Sequence, residues 1–137
     1  MEVQVEHLGA LQFEIKTRGH SIISDQPVAD GGFDEGFTPP ELLLASLGSC
    51  AGFYAANYLR KHKLASEGTR IRVTSDKVKD PHTRMTNFVI EVEAPVELTL
   101  EQQKGVEEAV GHCLVHNTLL KKPAISLKVM GLVAAKQ

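Results

Sequence analysis

The sequence predicts an α+β domain with the element order βββ-α-ββ-α-β. Three observations carry that expectation. Short stretches near the N-terminus alternate apolar and polar residues with period two, the mark of half-buried strands. A charge-free run of 18 residues, Leu42 to Leu59, follows a helix-capping sequence. A second pair of alternating stretches then leads into a second capped helix. At 137 residues the chain suits one domain, 1–137, with a core large enough to fold without a disulfide or metal staple.

Val3, Val5 and His7 alternate with charged or polar partners and predict a first strand. Leu11, Phe13 and Ile15 predict a second after the Gly9 turn, and Ser21–Ser24 a third after Arg18-Gly19. Asp25 to Pro40, rich in Asp, Gly and Pro, reads as a loop. A long central helix follows from about Pro39 to Lys63. Thr38 suits its N-cap, Pro39 its first turn, and Glu41 completes a capping box. Arg60, Lys61, His62 and Lys63 complement the negative end of its dipole, and His62 reads as a cap. Because this helix is apolar all round, it is expected to be buried in a soluble core.

Ile71 and Val73 begin a fourth strand reaching Lys79, Asp80-Pro81-His82 is a turn, and Phe88 to Ala94 alternate as a fifth strand. Thr99 with Gln102 is a second capping box and opens a helix at about Leu100. Val106, Ala109, Val110 and Cys113 share one face of that helix, which is read through Leu120 until Pro123 stops it. Ile125, Leu127 and Val129 predict a final strand. Along the central helix Gly48, Gly52 and Ala56 recur four apart, as do Ala45 and Ser49. That stripe reads either as a tight helix crossing, including one between two copies, or as small-residue filling of a crowded core.

Composition excludes several functions. Lys+Arg 15 against Asp+Glu 17 leaves a net charge of -2, the wrong sign for a nucleic-acid footprint. With no Trp, two Tyr and five Phe, stacking platforms for single strands are few. Leu42–Leu59 reaches the lower edge of a membrane-spanning length, but Ser46, Gly48, Ser49, Asn57 and two tyrosines make it too polar for a lone span. The N-terminus has neither the basic region nor the apolar core of a signal peptide, so a cytoplasmic location is expected.

Two cysteines remain. In a reducing compartment they are reactive, metal-binding or simply buried, rather than a permanent bridge. Cys50 shares a helical face with Leu43, Leu47, Phe53 and Asn57, and Cys113 faces inward on the second helix. Two inert core thiols are one reading. The other is a peroxidatic and resolving pair, in which one thiolate becomes a sulfenic acid and the second thiol condenses with it. That chemistry needs a lowered pKa, and Cys50 lies about three turns inside its own helix, too deep for the dipole of that helix to act. Cys113 and His116, with His112 adjacent, offer ligand types for a metal, but no second ligand pair accompanies them, so no metal or bound cofactor is expected. Asp25, Asp30, Asp34 and Glu35 lack a calcium-loop spacing and read as solvated.

The stretch Phe37-Thr38-Pro39-Pro40-Glu41-Leu42-Leu43-Leu44-Ala45-Ser46-Leu47-Gly48-Ser49-Cys50 resembles the first cysteine motif of the OsmC/Ohr family. Cys113-Leu114-Val115-His116-Asn117-Thr118-Leu119 resembles its second, and the Gly-rich approach from Asp25 to Gly32 also fits. The resemblance implies an intertwined α+β homodimer with two active sites at the subunit interface. It implies a thiol-dependent peroxidase for organic hydroperoxides, with Cys50 attacking and Cys113 resolving. It implies re-reduction by a lipoylated protein or another external dithiol. A family member that keeps the fold and the pair but acts as a thiol-redox or small-ligand-binding protein is the alternative.

The chain departs from the peroxidase pattern in two places. Where those members carry a Glu ten residues before the first cysteine, this chain has Pro40; Glu41 stands nine before, half a helical revolution off, and its cap suffices to explain it. Where the family has a catalytic Arg in the first hairpin, this chain has His7-Leu8-Gly9-Ala10, and Arg18 is the nearest substitute.

Overall fold

The computed structural model describes residues 1–131. β1 (Gln4–Gly9), β2 (Gln12–Thr17) and β3 (His20–Ser24) form an antiparallel meander. α1 (Pro39–Lys61) follows, then a separate antiparallel hairpin of β4 (Arg70–Lys79) and β5 (Thr83–Glu93). α2 (Leu100–Val110) and α3 (Leu114–Leu120) complete the described elements. The α+β class and the first seven elements match the sequence expectation. Two features differ. The second helix is broken after Val110, and the strand expected through Ile125, Leu127 and Val129 does not form. A strand needs a neighbour to bond its amides. No described strand lies beside this segment, and its three apolar side chains stand 85–91% exposed.

The β2–β3 hairpin turns on two left-handed residues, Arg18 (φ 48) and Gly19 (φ 80), between the paired Thr17 and His20. Two successive positive φ values give the twist that a two-residue hairpin requires. Arg18 is thereby an exposed turn residue.

Asp25, read from the sequence as solvated, is instead 1% exposed and organises the following loop. Its Oδ1 accepts from the Gln26 N–H (2.8 Å), and its Oδ2 from Phe33 N–H (3.1 Å), Glu35 N–H (3.2 Å) and the Gln12 side chain (3.2 Å). Spacing rules for a cation loop missed it because the partners are backbone amides. Gly32 is required here, since a Cβ would sit 1.9 Å from the Gln26 carbonyl oxygen. Asp30, Asp34 and Glu35 are exposed, as expected. The ordered loop delivers the chain to the start of α1, where the isolated bridge Ser24–Phe37 ties loop to strand.

The capping box forms as the sequence predicts. Glu41 N–H donates to Thr38 Oγ1 (3.4 Å), and Thr38 N–H donates to Glu41 Oε2 (2.8 Å). His62 caps the other end, its Nδ1–H donating to the Tyr58 carbonyl (2.9 Å). Leu47, Ala51, Ala55 and Leu59 of α1 are buried, and Val106 and Val110 of α2 join Ala51, Ala55 and Leu59 in the core. Gly48 and Gly52 receive β4: added Cβ atoms would lie 3.0 Å from Val73 and 3.1 Å from Ile71. The small-residue stripe thus admits a strand at these two positions rather than a helix.

The expected burial of α1 on all sides is not met. Ala45, Ser49 and Phe53 are exposed, because β4, β5, α2 and α3 cover one side only and the three-stranded sheet does not pack on the helix. α1 is the one described helix long and apolar enough to cross a bilayer, yet within this fold it is the element around which the core assembles.

Burial pushes the Asp25 carboxyl up, but the four hydrogen bonds outweigh it and hold its pKa below the usual 3.8. A depressed carboxylate adds stability in full above its unfolded pKa, and that stability is lost as pH falls through the folded value. Asp25→Asn is therefore expected to melt below the wild type at pH 7, with the gap narrowing progressively beneath about pH 3.8. Thermal unfolding followed by circular dichroism from pH 7 to pH 2.5 checks this; a gap independent of pH would refute it.

Candidate functional site

The break that splits the predicted second helix creates the site. Gly111 caps α2, and Cys113 (φ -58, ψ 124) leaves the helical region to become the N-cap of α3. Cys113 was expected on the inward face of a continuous helix; it is inward, 0% exposed, but it stands at a helix start. A glycine after the last periodic apolar residue is a stop signal, and Gly111 was the available hint.

An α-helix begins with four amides that have no intrahelical acceptor. At α3 two find acceptors in the fold. Cys113 N–H donates to the Val110 carbonyl (2.9 Å) and His116 N–H to Cys113 Sγ (3.4 Å). The Leu114 and Val115 amides and the Cys113 thiol lie close enough to Cys50 to favour its thiolate. Cys50, half-buried on α1, is thus held against the N-terminus of a different helix.

This arrangement separates the two thiols electrostatically. Burial pushes Cys50 up, but the Cys113 thiol and the Val115 and Leu114 amides favour its thiolate, and the net pKa falls below the ordinary value. Burial pushes Cys113 up, donating to Cys50 pushes it further, and the His116 amide offsets only part of this; its pKa is raised. The surroundings thus favour the thiolate at Cys50 over that at Cys113. The sequence offered no cation near Cys50; within one chain the groups that favour its thiolate are the Cys113 thiol and backbone amides of α3. Both sulfurs are free thiols.

Glu41 and Arg18 are placed elsewhere. Glu41 is exposed and occupied by the α1 cap, and Arg18 sits at the hairpin tip on a sheet that does not pack against α1 or α3. Neither acts on Cys50 within one chain. Among the described residues no three His, Cys, Asp or Glu side chains converge as a metal site, and His112 is exposed.

A largely apolar cavity of about 550 Å³ is bounded by Leu43, Leu47, Phe88, Ile90, His116 and Leu119 among others. Leu43 and Leu47 precede Cys50 by seven and three residues, so they line the same face of α1.

Comparison with known proteins identifies the family and the fold. A family model described as OsmC-like protein matches residues 32–128, more than half of the chain. No curated protein sequence matches it. A Psychrobacter arcticus structure, described as an osmotic stress induced and detoxification response protein, is 28% identical, with 85% of each chain covered and a TM-score of 0.76. An organic hydroperoxide resistance protein OsmC of Legionella pneumophila is 14% identical, covering 87% of this chain and 89% of its own, with a TM-score of 0.66. OhrB of Bacillus subtilis, named an organic hydroperoxide resistance protein, is 16% identical over 86% and 90%, with a TM-score of 0.61. These last two share the fold.

Alkylation of Cys50 by iodoacetamide, followed by peptide mass against pH, is expected to reach half-maximal rate below about 8.5, the ordinary cysteine value. Cys113→Ala removes both the donor to Cys50 and the α3 cap. It should move that midpoint upward and lower stability by about 1 kcal/mol, whereas Cys113→Ser, which caps well, should lose less. An unshifted midpoint in Cys113→Ala would mean that the pair is not coupled.

Proposed function

Because the chain belongs to the OsmC-like protein family, we propose that it is a thiol peroxidase that reduces organic hydroperoxides through Cys50 and Cys113. The carrying observation is that two free thiols meet at one helix start, Cys113 as the N-cap of α3 and Cys50 on α1, in surroundings that lower the pKa of Cys50 and raise that of Cys113. The Cys50 thiolate attacks the terminal oxygen of ROOH, the O–O bond breaks, and the alkoxide leaves and is protonated to ROH. Cys50 becomes a sulfenic acid. The Cys113 sulfur then attacks the Cys50 sulfur and hydroxide leaves as water, giving a disulfide. An external dithiol, such as a lipoylated protein in the cytoplasm, reduces the disulfide and is itself oxidised.

The functional unit in this reading is a homodimer. A folded 14.9 kDa monomer exposes about 7,000 Å², whereas this chain exposes 11129 Å². The uncovered surface is apolar where a partner would have to lie: Phe53 on the open face of α1, Leu119 and Leu120 on α3, and the unpaired Ile125–Val129 segment. A second copy would cover the open side of α1 and give that segment a strand neighbour, which is what an intertwined pair requires. Arg18 of the second copy is then a candidate to approach Cys50.

Two measurements test the reading. Stoichiometric cumene hydroperoxide should convert the reduced protein to a Cys50–Cys113 disulfide within seconds by intact mass, and Cys113→Ser should accumulate one added oxygen on Cys50. Oxidation no faster than that of free cysteine overturns the peroxidase assignment, and a Cys113→Ser protein that stays reduced overturns the resolving role. Sedimentation should return twice the chain mass; a monomer at micromolar concentration sinks the dimer.

A further inference from the structure

Asn117 belongs to the second cysteine motif, yet neither the thiol chemistry nor the core uses it. Its side chain is exposed on α3, and its Nδ2 donates to the Gly111 carbonyl across the α2–α3 break, at 3.1 Å. A carbonyl only accepts, so it is the amide nitrogen that must face Gly111. The backbone N–H of the same residue donates to the Cys113 carbonyl (3.0 Å). Asn117 therefore holds the chain at Cys113 and again two residues before it. The rest of the break is tied backward only: the amides of Gly111, His112 and Cys113 donate to the carbonyls of Glu107, Ala109 and Val110 in α2. Among the described residues, Asn117 is the one side-chain donor that reaches from α3 back over the break. Packing does not set the angle instead, because α3 rests on α1 and makes no extended contact with α2. Asn is also one of the weaker helix formers, since its side chain competes for backbone groups. On α3 that competition is turned on a carbonyl outside its own helix.

We propose that Asn117 is a positioning residue of the thiol pair: its amide, anchored on the Gly111 carbonyl, fixes how α3 leaves α2 and so holds Cys113 against Cys50. Cys113 is a linker residue as well as a cap, with its backbone outside the helical region (φ -58, ψ 124) between two helices. Rotation about that linker would swing α3 and carry the sulfur away from α1. The Asn117–Gly111 bond closes a ring of chain that contains the cysteine, so the linker cannot rotate without breaking it. An Asp at this position could not serve, because a carboxylate has no donor for a carbonyl. This positioning role rests on the peroxidase reading only for its catalytic consequence; the placing of the two sulfurs stands separately.

The experiment therefore uses no peroxide. Reduced protein is equilibrated at pH 7.5 with mixtures of oxidised and reduced glutathione, and the Cys50–Cys113 disulfide is quantified by mass after acid quenching. Glutathione disulfide takes two electrons and leaves as two thiols while the protein pair is oxidised to its disulfide. The equilibrium constant thus reads how closely the two sulfurs are held. Asn117→Leu keeps the size of the side chain, lacks the donor and is the better helix former. It should lower the constant about tenfold, with circular dichroism showing an intact fold. Asn117→Asp, which has no donor at this pH, should lower it as well. Thr118→Ala removes a bond of similar kind inside α3, from Thr118 Oγ1 to the Leu114 carbonyl (2.8 Å), and should leave the constant within about twofold. An unchanged constant in either Asn117 variant, once folded, overturns the proposal. So does an equal fall in Thr118→Ala, which would mean that the stability of α3 alone is being read, and so does a wild type that forms no Cys50–Cys113 disulfide. A pair that depends on Asn117 in a protein that reduces no hydroperoxide would sink the peroxidase reading and leave this one standing.

Discussion

The site depends on one constraint: α2 must end at Gly111 so that α3 can begin at Cys113, which sets the opening amides of α3 close to Cys50. Without the break at Gly111 the amides of Leu114, Val115 and His116 would bond within a continuous helix, and Cys50 would face only apolar neighbours. With the break, Cys113 becomes a cap, and its thiol and the first amides of α3 favour the Cys50 thiolate. The same helix start thus shapes both the contact of α3 with α1 and the pKa of one thiol. Stability and reactivity share a set of atoms, so chemistry at either sulfur must also be felt by α3.

That economy accounts for the departures from the peroxidase pattern. A thiolate can be stabilised by a cation or by oriented amides, and within one described chain the amides are present while Pro40 and the first hairpin supply no cation to Cys50. Neutral amides also suit the setting. A guanidinium beside the apolar cavity would have to be desolvated or paired, at a cost that backbone donors already fixed in a helix do not incur.

The large exposed apolar surface belongs to the same logic. A long helix covered on one side, a sheet that packs on nothing and an unpaired apolar segment are not stable ends in water. In the proposed homodimer these are the surfaces that a second copy would cover. The ordered Asp25 loop is the one rigid link between the meander and α1, so it sets where the sheet is held out for that complement.

The sequence by itself determined the five strands that form and the starts of the two long helices. Period-two alternation placed five strands, and the Thr38–Glu41 and Thr99–Gln102 pairs placed two helix starts, because capping and alternation are local physics. It also singled out Cys50 and Cys113 through motif resemblance. It did not foresee that Ile125–Val129 lacks a neighbour, since alternation states which face a strand would bury and not what lies beside it. Only the tertiary structure decided that Asp25 is buried and that α2 ends before Cys113. Both depend on backbone groups brought together by the fold. The pKa difference between the two thiols is the clearest case: it arises between residues 63 positions apart in sequence, where no local pattern could record it.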